Sequence, residues 1–281
     1  MRNLEVSRIR DEVARLCQES NFYLSEEMMS ALEKAREREE SPAGREVIEQ
    51  IQENADIASS EEIPMCQDTG TTVVFAEVGQ DIELVGGSLE KAINEGVRKG
   101  YEEGYLRKSI VEDPARKREN TGDNTPAIIH TRLVEGDKIK LTVAPKGGGS
   151  ENMSRLKMLT PADGEEGVKD FVVNAVVEAG PNPCPPVIVG VGVGGNFEKA
   201  ALLAKEALME PIDSDKRESD MPELEEAILE EINDSGVGPQ GFGGRITALG
   251  VNIKTYPCHI ASLPVAVNIN CHAARHKSVT I

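Results

Sequence analysis

The chain has no tryptophan, and aromatic residues make up only 3% of its 281 positions. A core without large rings must be aliphatic, built from Val, Ile, Leu and Ala. No apolar run approaches the roughly 18–20 residues of a membrane span. The opening Met-Arg-Asn-Leu-Glu-Val-Ser-Arg-Ile-Arg lacks the apolar stretch of a secretory leader, so the expected location is the cytoplasm. Basic residues are in deficit, with 31 Lys and Arg against 49 Asp and Glu and a net charge of −18. Nucleic acid and anionic membranes are bound through Lys and Arg, so neither is expected as a partner. The acidity reads as a soluble, self-repelling surface. Close C-x-x-C pairs, the usual local framework of zinc ribbons and ferredoxin clusters, are missing as well. The five cysteines are an odd number, which in a reducing compartment favours metal ligands or buried thiols over disulfides.

Strands and helices alternate along the chain. Spacing predicts helix from residue 4 to about 58, with Ile9, Val13, Leu16, Ile48 and Ile51 on the apolar side. Ser25 before Glu26 and Glu27, and Ser41 before Pro42, are helix N-cap signals. Cys17, next to Leu16, reads as core. Strands are predicted at 71–78, 127–134, 138–143, 186–193, 246–256 and 263–269. Helices are predicted at 88–105, 163–179, 196–209 and 222–233, and a charged surface loop at 210–222. Glu-Gly-Asp between the strands 127–134 and 138–143 signals a hairpin. The class is α/β with a mixed sheet and flanking helices, a helical N-terminal part over about 1–60 and a mixed part over about 61–281, in one domain.

Two glycine runs carry chemical signals. Gly190, Gly192 and Gly195 match G-x-G-x-x-G after a strand and before a helix. A dinucleotide fold then needs a second strand ending in an acid about 20 residues on, and the loop from Glu210 to Asp215 stands there instead. The fold is therefore not a Rossmann fold. These glycines are expected to let backbone pass close to another strand, or to whatever Cys184 binds. Lys146-Gly147-Gly148-Gly149-Ser150 follows a strand, and its backbone N–H groups can converge on a small anion; the plain alternative is a flexible hairpin tip.

Three cysteines sit in rigid, polar turns: Pro-Met-Cys66-Gln-Asp-Thr-Gly, Pro-Asn-Pro-Cys184-Pro-Pro and Val-Asn-Ile-Asn-Cys271-His. Three thiolates hold a metal centre and leave one position open for chemistry. Their wide spacing means that the fold must assemble them, and spacing alone leaves three unrelated buried thiols as an equal reading. Cys258 competes as a ligand. Its neighbour His259 is, on pattern alone, a structural histidine, and Gln67 and Asp68 follow Cys66 directly. A carboxylate and an imidazole near a metal could pass a proton.

Cys-Gln-Asp-Thr-Gly-Thr, Lys-Gly-Gly-Gly-Ser-Glu-Asn, Pro-Asn-Pro-Cys-Pro-Pro-Val-Ile-Val-Gly-Val-Gly-Val-Gly-Gly and Pro-Cys-His-Ile-Ala-Ser-Leu-Pro-Val-Ala-Val-Asn-Ile-Asn-Cys, in that order, resemble the class I fumarases and the related L-tartrate dehydratases. The resemblance implies an α subunit, whose β-type partner carries the rest of the active site, in an α2β2 assembly. It implies a [4Fe–4S] cluster on Cys66, Cys184 and Cys271, with Cys258 outside the ligand set. It implies catalytic roles for Asp68 and His259 and substrate binding by Gln67, Arg107 and Gly148, with Arg107 next to Lys108. The implied reaction is reversible hydration of fumarate to (S)-malate, preferred on general prevalence. The alternatives are dehydration of L-tartrate to oxaloacetate and a non-catalytic metal-binding module. Since further family residues belong to the partner, the chain alone is expected to bind the cluster and to show little or no activity.

Overall fold

A computed structural model describes residues 1–213 and 218–281; part of the expected loop over 210–222 lies outside them. The chain divides into two compact units, one of Met1–Leu24, Ala55–Gly148 and Arg275–Ile281, the other of Ser25–Asn54 and Gly149–Ala274. Among the described residues, helices and mixed sheets alternate as the class predicts, and no helix is long and apolar enough to cross a membrane.

The first unit is built on a sheet of order β10-β5-β2-β4: β2 (Thr71–Gly79), β4 (Ile128–Val134), β5 (Ile139–Lys146) and β10 (Lys277–Thr280). Its core joins Val74, Leu141 and Val143 of the sheet to Ile9, Val13, Leu16 and Cys17 of α1 (Val6–Phe22) and Ile93, Val97 and Tyr101 of α4 (Leu89–Glu103). Cys17 is core, as expected, and burial pushes its thiol up to about 12, so it stays protonated. Helix begins later than residue 4, because Arg2–Glu5 form β1 and pair in parallel with β3 (Ile82–Val85).

The expected hairpin of β4 and β5 does not form. Strand β2 lies between them, parallel to β4 and antiparallel to β5. The β-branched run of β2 is buried over most of its length, which a central strand satisfies and an edge strand does not. The Glu-Gly-Asp link instead crosses the end of β2, where the Gly79 N–H donates to Lys138 O at 2.9 Å.

The second unit contains α2 (Glu26–Arg38) and a sheet of order β6-β9-β7-β8: β6 (Arg155–Leu159), β7 (Val187–Gly194), β8 (Ala248–Tyr256) and β9 (Leu263–Asn270). Helix α3 (Pro42–Glu61) begins in this unit. Both serine caps form: Ser25 Oγ accepts from Met28 N at 3.2 Å, and Ser41 Oγ from Gly44 N at 3.2 Å. Val187, Val189, Val191 and Val193 of β7 pack with α6 (Gly164–Ala179) and α8 (Pro222–Asp234). The alternate face of β7 carries Gly190 and Gly192, and it meets α7 (Phe197–Ala207) rather than another strand. A methyl on Gly192 would overlap the Ala200 carbonyl, and one on Gly190 the Ala204 carbonyl. The glycine run is therefore a helix-packing device, needed because backbone touches backbone there.

Glu39, fully buried, ties the end of α2 to the loop before β8. Its carboxylate accepts from the N–H groups of Ser41 at 2.8 Å, Arg245 at 2.9 Å and Ile246 at 2.7 Å. Burial alone would favour the neutral acid, but the converging N–H groups outweigh it and hold the carboxyl below its ordinary 4.5.

Gly192→Ala should destabilise the chain by about 1–3 kcal/mol through overpacking, read as a lower urea midpoint at unchanged slope. For Glu39, a depressed folded pKa stabilises the protein above the ordinary value, and that gain vanishes as pH falls through the folded one. Glu39→Gln should therefore lower the urea midpoint at about pH 7, and the gap to wild type should shrink towards about pH 3. A gap independent of pH would contradict the ionised role.

Candidate active site

In the first unit, α3 ends and the chain runs irregularly through Cys66, Gln67 and Asp68 into β2. Cys66 and Asp68 are half-buried and Gln67 is exposed. The turn that follows is gripped from inside. Arg275 Nη2 donates to Asp68 O. The Tyr101 hydroxyl lies 2.7 Å from Thr69 O and 3.0 Å from Gly70 O, sharing its proton between them. Asn124 Nδ2 donates to Gly70 O at 3.1 Å. Tyr101 and Asn124 are fully buried. Gly70 must be glycine: its φ is +81°, and a Cβ would stand 2.7 Å from Lys146 N.

With its backbone held, Asp68 directs both carboxylate oxygens at main-chain donors. Oδ1 accepts from Gly70 N at 3.0 Å and Oδ2 from Gly148 N at 2.7 Å. Asp68 and Gly148, far apart in sequence, are thereby brought together. Gly148 opens the four-residue helix α5 (Gly148–Glu151), where an N–H has no helical partner of its own. The candidate anion donor is thus occupied by a carboxylate of the same chain.

Arg107 is exposed, but its backbone is fixed. Its carbonyl accepts from Thr69 Oγ1 at 2.8 Å, and the N–H of Ser109 donates to Asn124 Oδ1 at 2.7 Å. The same turn therefore aligns Asp68, Gly148 and the Arg107 segment. Sequence reasoning missed Tyr101, Asn124 and Arg275. Tyr101 has the spacing of an ordinary helix core residue, and nothing local marks the other two.

In the second unit, Cys184 is exposed, with a left-handed φ of +57°, in the turn between α6 and β7. Strands β7 and β9 are antiparallel, with Ile188 opposite Asn270, so Cys184 and Cys271 emerge at the same end of the sheet. His272 links the two turns. Its N–H reaches Cys184 O at 3.4 Å, and Nδ1 lies 3.0 Å from the same oxygen. Gln240 Nε2, 3.2 Å from that Nδ1, donates to Pro185 O at 2.7 Å. The Nδ1 atom donates to Cys184 when protonated and accepts from Gln240 when not.

His259 and Cys258 sit on the exposed link between β8 and β9. The imidazole Nδ1 accepts from Ala261 N at 3.2 Å, and the Cys258 thiol donates to Ser262 O at 3.2 Å. This link is at the opposite end of β7 and β9 from Cys184 and Cys271. The separation is the length of a strand, roughly 26 Å at about 3.3 Å per residue. Of the other histidines, His130 stacks on Phe75 with centroids 5.1 Å apart.

All five cysteines are thiols rather than disulfides. Among the described residues, neither unit gathers three His, Cys, Asp or Glu side chains into a metal cage of its own. The first unit carries one of the three candidate thiols and the second the other two.

Comparison with known proteins assigns the chain's relatives. The family model described as Fumarate hydratase (Fumerase) matches residues 10–280. The putative L(+)-tartrate dehydratase subunit alpha of Methanocaldococcus jannaschii is 42% identical over 275 residues, covering 95% of each chain. The L(+)-tartrate dehydratase subunit alpha of Escherichia coli strain UTI89 is 31% identical over 278 residues, 98% of this chain and 91% of that one. The corresponding K12 subunit is 30% identical over 278 residues.

Tyr101→Phe keeps the ring and removes the one proton shared by two carbonyls. It should lower stability by about 1–3 kcal/mol and speed amide hydrogen exchange at Gly70 and Thr71. Unchanged exchange there would mean that the hydroxyl does not hold the turn.

Proposed function

Because the chain belongs to the fumarate hydratase (Fumerase) family, a family of hydro-lyases, we propose that it is the α subunit of an iron–sulfur enzyme that adds water to, or removes it from, a four-carbon dicarboxylate. Hydration of fumarate to (S)-malate is the first reading. Dehydration of L-tartrate to oxaloacetate is the second, favoured by relatives named as L(+)-tartrate dehydratase alpha subunits. The same names, as alpha subunits, support a β-type partner, in an α2β2 assembly.

Cys66, Cys184 and Cys271 are the proposed ligands of a [4Fe–4S] cluster. The donor chemistry fits: each thiol is at least partly exposed on a polar turn and outside any disulfide, whereas Cys17 is buried and held protonated. Cys258 is not among the proposed ligands, as the family motif implies, and it leaves the sheet at the end away from Cys184. When bound, the cluster supplies a Lewis acid with an open position for the substrate's hydroxyl.

The chain's own residues do the rest. Arg107 clamps a carboxylate with its forked guanidinium, and Gln67 offers an exposed amide beside Asp68. Asp68 accepts or returns the proton. The observation that carries this reading is the 2.7 Å bond from Gly148 N to Asp68 Oδ2. A substrate carboxylate taking that N–H would release Asp68 Oδ2 for proton transfer, which couples binding to activation of the base. His259, the proposed partner in proton handling, lies a strand's length from Cys184 and Cys271 of its own chain. In this reading it serves the centre of a second α chain.

The test is the pair co-expressed with its β-type partner, purified without oxygen and assayed with fumarate, (S)-malate and L-tartrate. Turnover of either substrate pair is expected, and turnover of neither overturns the assignment. Cys66→Ala, Cys184→Ala and Cys271→Ala should each abolish the visible absorbance of the cluster, whereas Cys258→Ala should retain it.

A further inference from the structure

Arg275 belongs to none of the roles assigned so far, and its environment is anomalous. It is 5% exposed. A guanidinium carries five N–H donors and a permanent charge. Only Nη2 is engaged, by the Asp68 carbonyl, while Nε and Nη1 are buried with no hydrogen-bond partner. No ion pair to Arg275 is present among the described residues. An unmatched buried cation is strongly unfavourable, and this chain has 49 Asp and Glu with which to match one. The carboxylate closest in bonding, that of Asp68, is directed away, onto the N–H groups of Gly70 and Gly148. The phenol of Tyr101, which holds the next two carbonyls of the turn, is pushed up chiefly by burial, with Arg275 lowering it and Asp68 raising it to lesser degrees.

A neutral donor would serve as well as arginine to hold one carbonyl. The charge is surplus to that task. It stands behind a turn whose other face presents a backbone donor, Gly148 N–H, already holding one carboxylate oxygen. We propose that Arg275 is a positioning residue for the substrate: it fixes the Asp68 backbone and supplies the unmatched positive charge that seats a dicarboxylate at the Asp68–Gly148 turn. This rests on the hydro-lyase reading for the identity of the anion. The charge acts through the turn and not by direct contact, because its unpartnered nitrogens are enclosed.

Three variants of the co-expressed, cluster-loaded complex separate the two tasks. Arg275→Gln can still donate to the Asp68 carbonyl but is neutral. Arg275→Lys keeps the charge with a poorer fit to the carbonyl, and Arg275→Met has neither. Two quantities are measured: KM and kcat for whichever substrate the wild type turns over, and the thermal upshift produced by succinate, an unreactive four-carbon dicarboxylate.

Arg275→Gln should raise KM roughly ten- to hundredfold, leave kcat far less affected and shrink the succinate upshift, at wild-type cluster absorbance. Arg275→Lys should recover most of the KM and the upshift. The proposal is overturned if Arg275→Gln binds substrate and succinate as wild type does. It is equally overturned if Arg275→Lys is no better than Arg275→Met, since charge would then be irrelevant; this arm decides the matter even if the Gln variant does not fold. A wild-type complex inactive on every dicarboxylate tested, but whose succinate upshift depends on the Arg275 charge, would refute the hydro-lyase reading while upholding the anion-seating role.

Discussion

Three successive carbonyls, those of Asp68, Thr69 and Gly70, are held from the interior by Arg275, Tyr101 and Asn124. Backbone carbonyls in a sharp turn are normally left to water. Here each is claimed by a buried side chain from a different part of the sequence. The turn is thus held at all three carbonyls, and this sets where its side chains stand. Asp68 can then hold Gly148, and Thr69 can hold the Arg107 segment. Preorganisation of this kind is how a site avoids spending binding energy on ordering its own groups.

The second unit reaches a similar end by other means. Its cysteine turns are placed by strand register, since antiparallel β7 and β9 deliver Cys184 and Cys271 to one end of the sheet. A one-residue slip would reverse every side chain of β7 between its valine face and its glycine face. The glycine face tolerates no such slip, because only Gly190 and Gly192 leave room for the carbonyls of α7. Packing far from the thiols thus fixes where Cys184 emerges.

Much of this was legible in the sequence, and the exceptions have physical causes. The serine caps at Ser25 and Ser41 formed because capping is a local property. The pairing of β4 with β5 failed because a turn signal says nothing about a third strand inserting between two neighbours. Strand β1 was overlooked because Arg2–Glu5 is too short for a period to show. Gly190 and Gly192 were expected to let backbone approach another strand, yet their neighbour proved to be a helix. In the candidate site, motifs marked Cys66, Asp68 and Gly148, which lie in distinctive local runs. Tyr101, Asn124 and Arg275 have no such surroundings, and their importance is a matter of long-range hydrogen bonding alone.

One feature of the first unit bears on how the chain is made. Residues 275–281 belong to that unit although all of its other residues precede Gly149. Strand β10 closes one edge of β5, and Arg275 closes the grip on Asp68. During synthesis from the N-terminus, at about 5–20 residues per second, β5 must wait with that edge unpaired until residues 277–280 emerge. The second unit's residues 149–274 leave the ribosome first. An open strand edge is the part of a nascent chain most prone to wrong pairing. Residues emerging more than a hundred positions later are therefore the ones that cover that edge of β5.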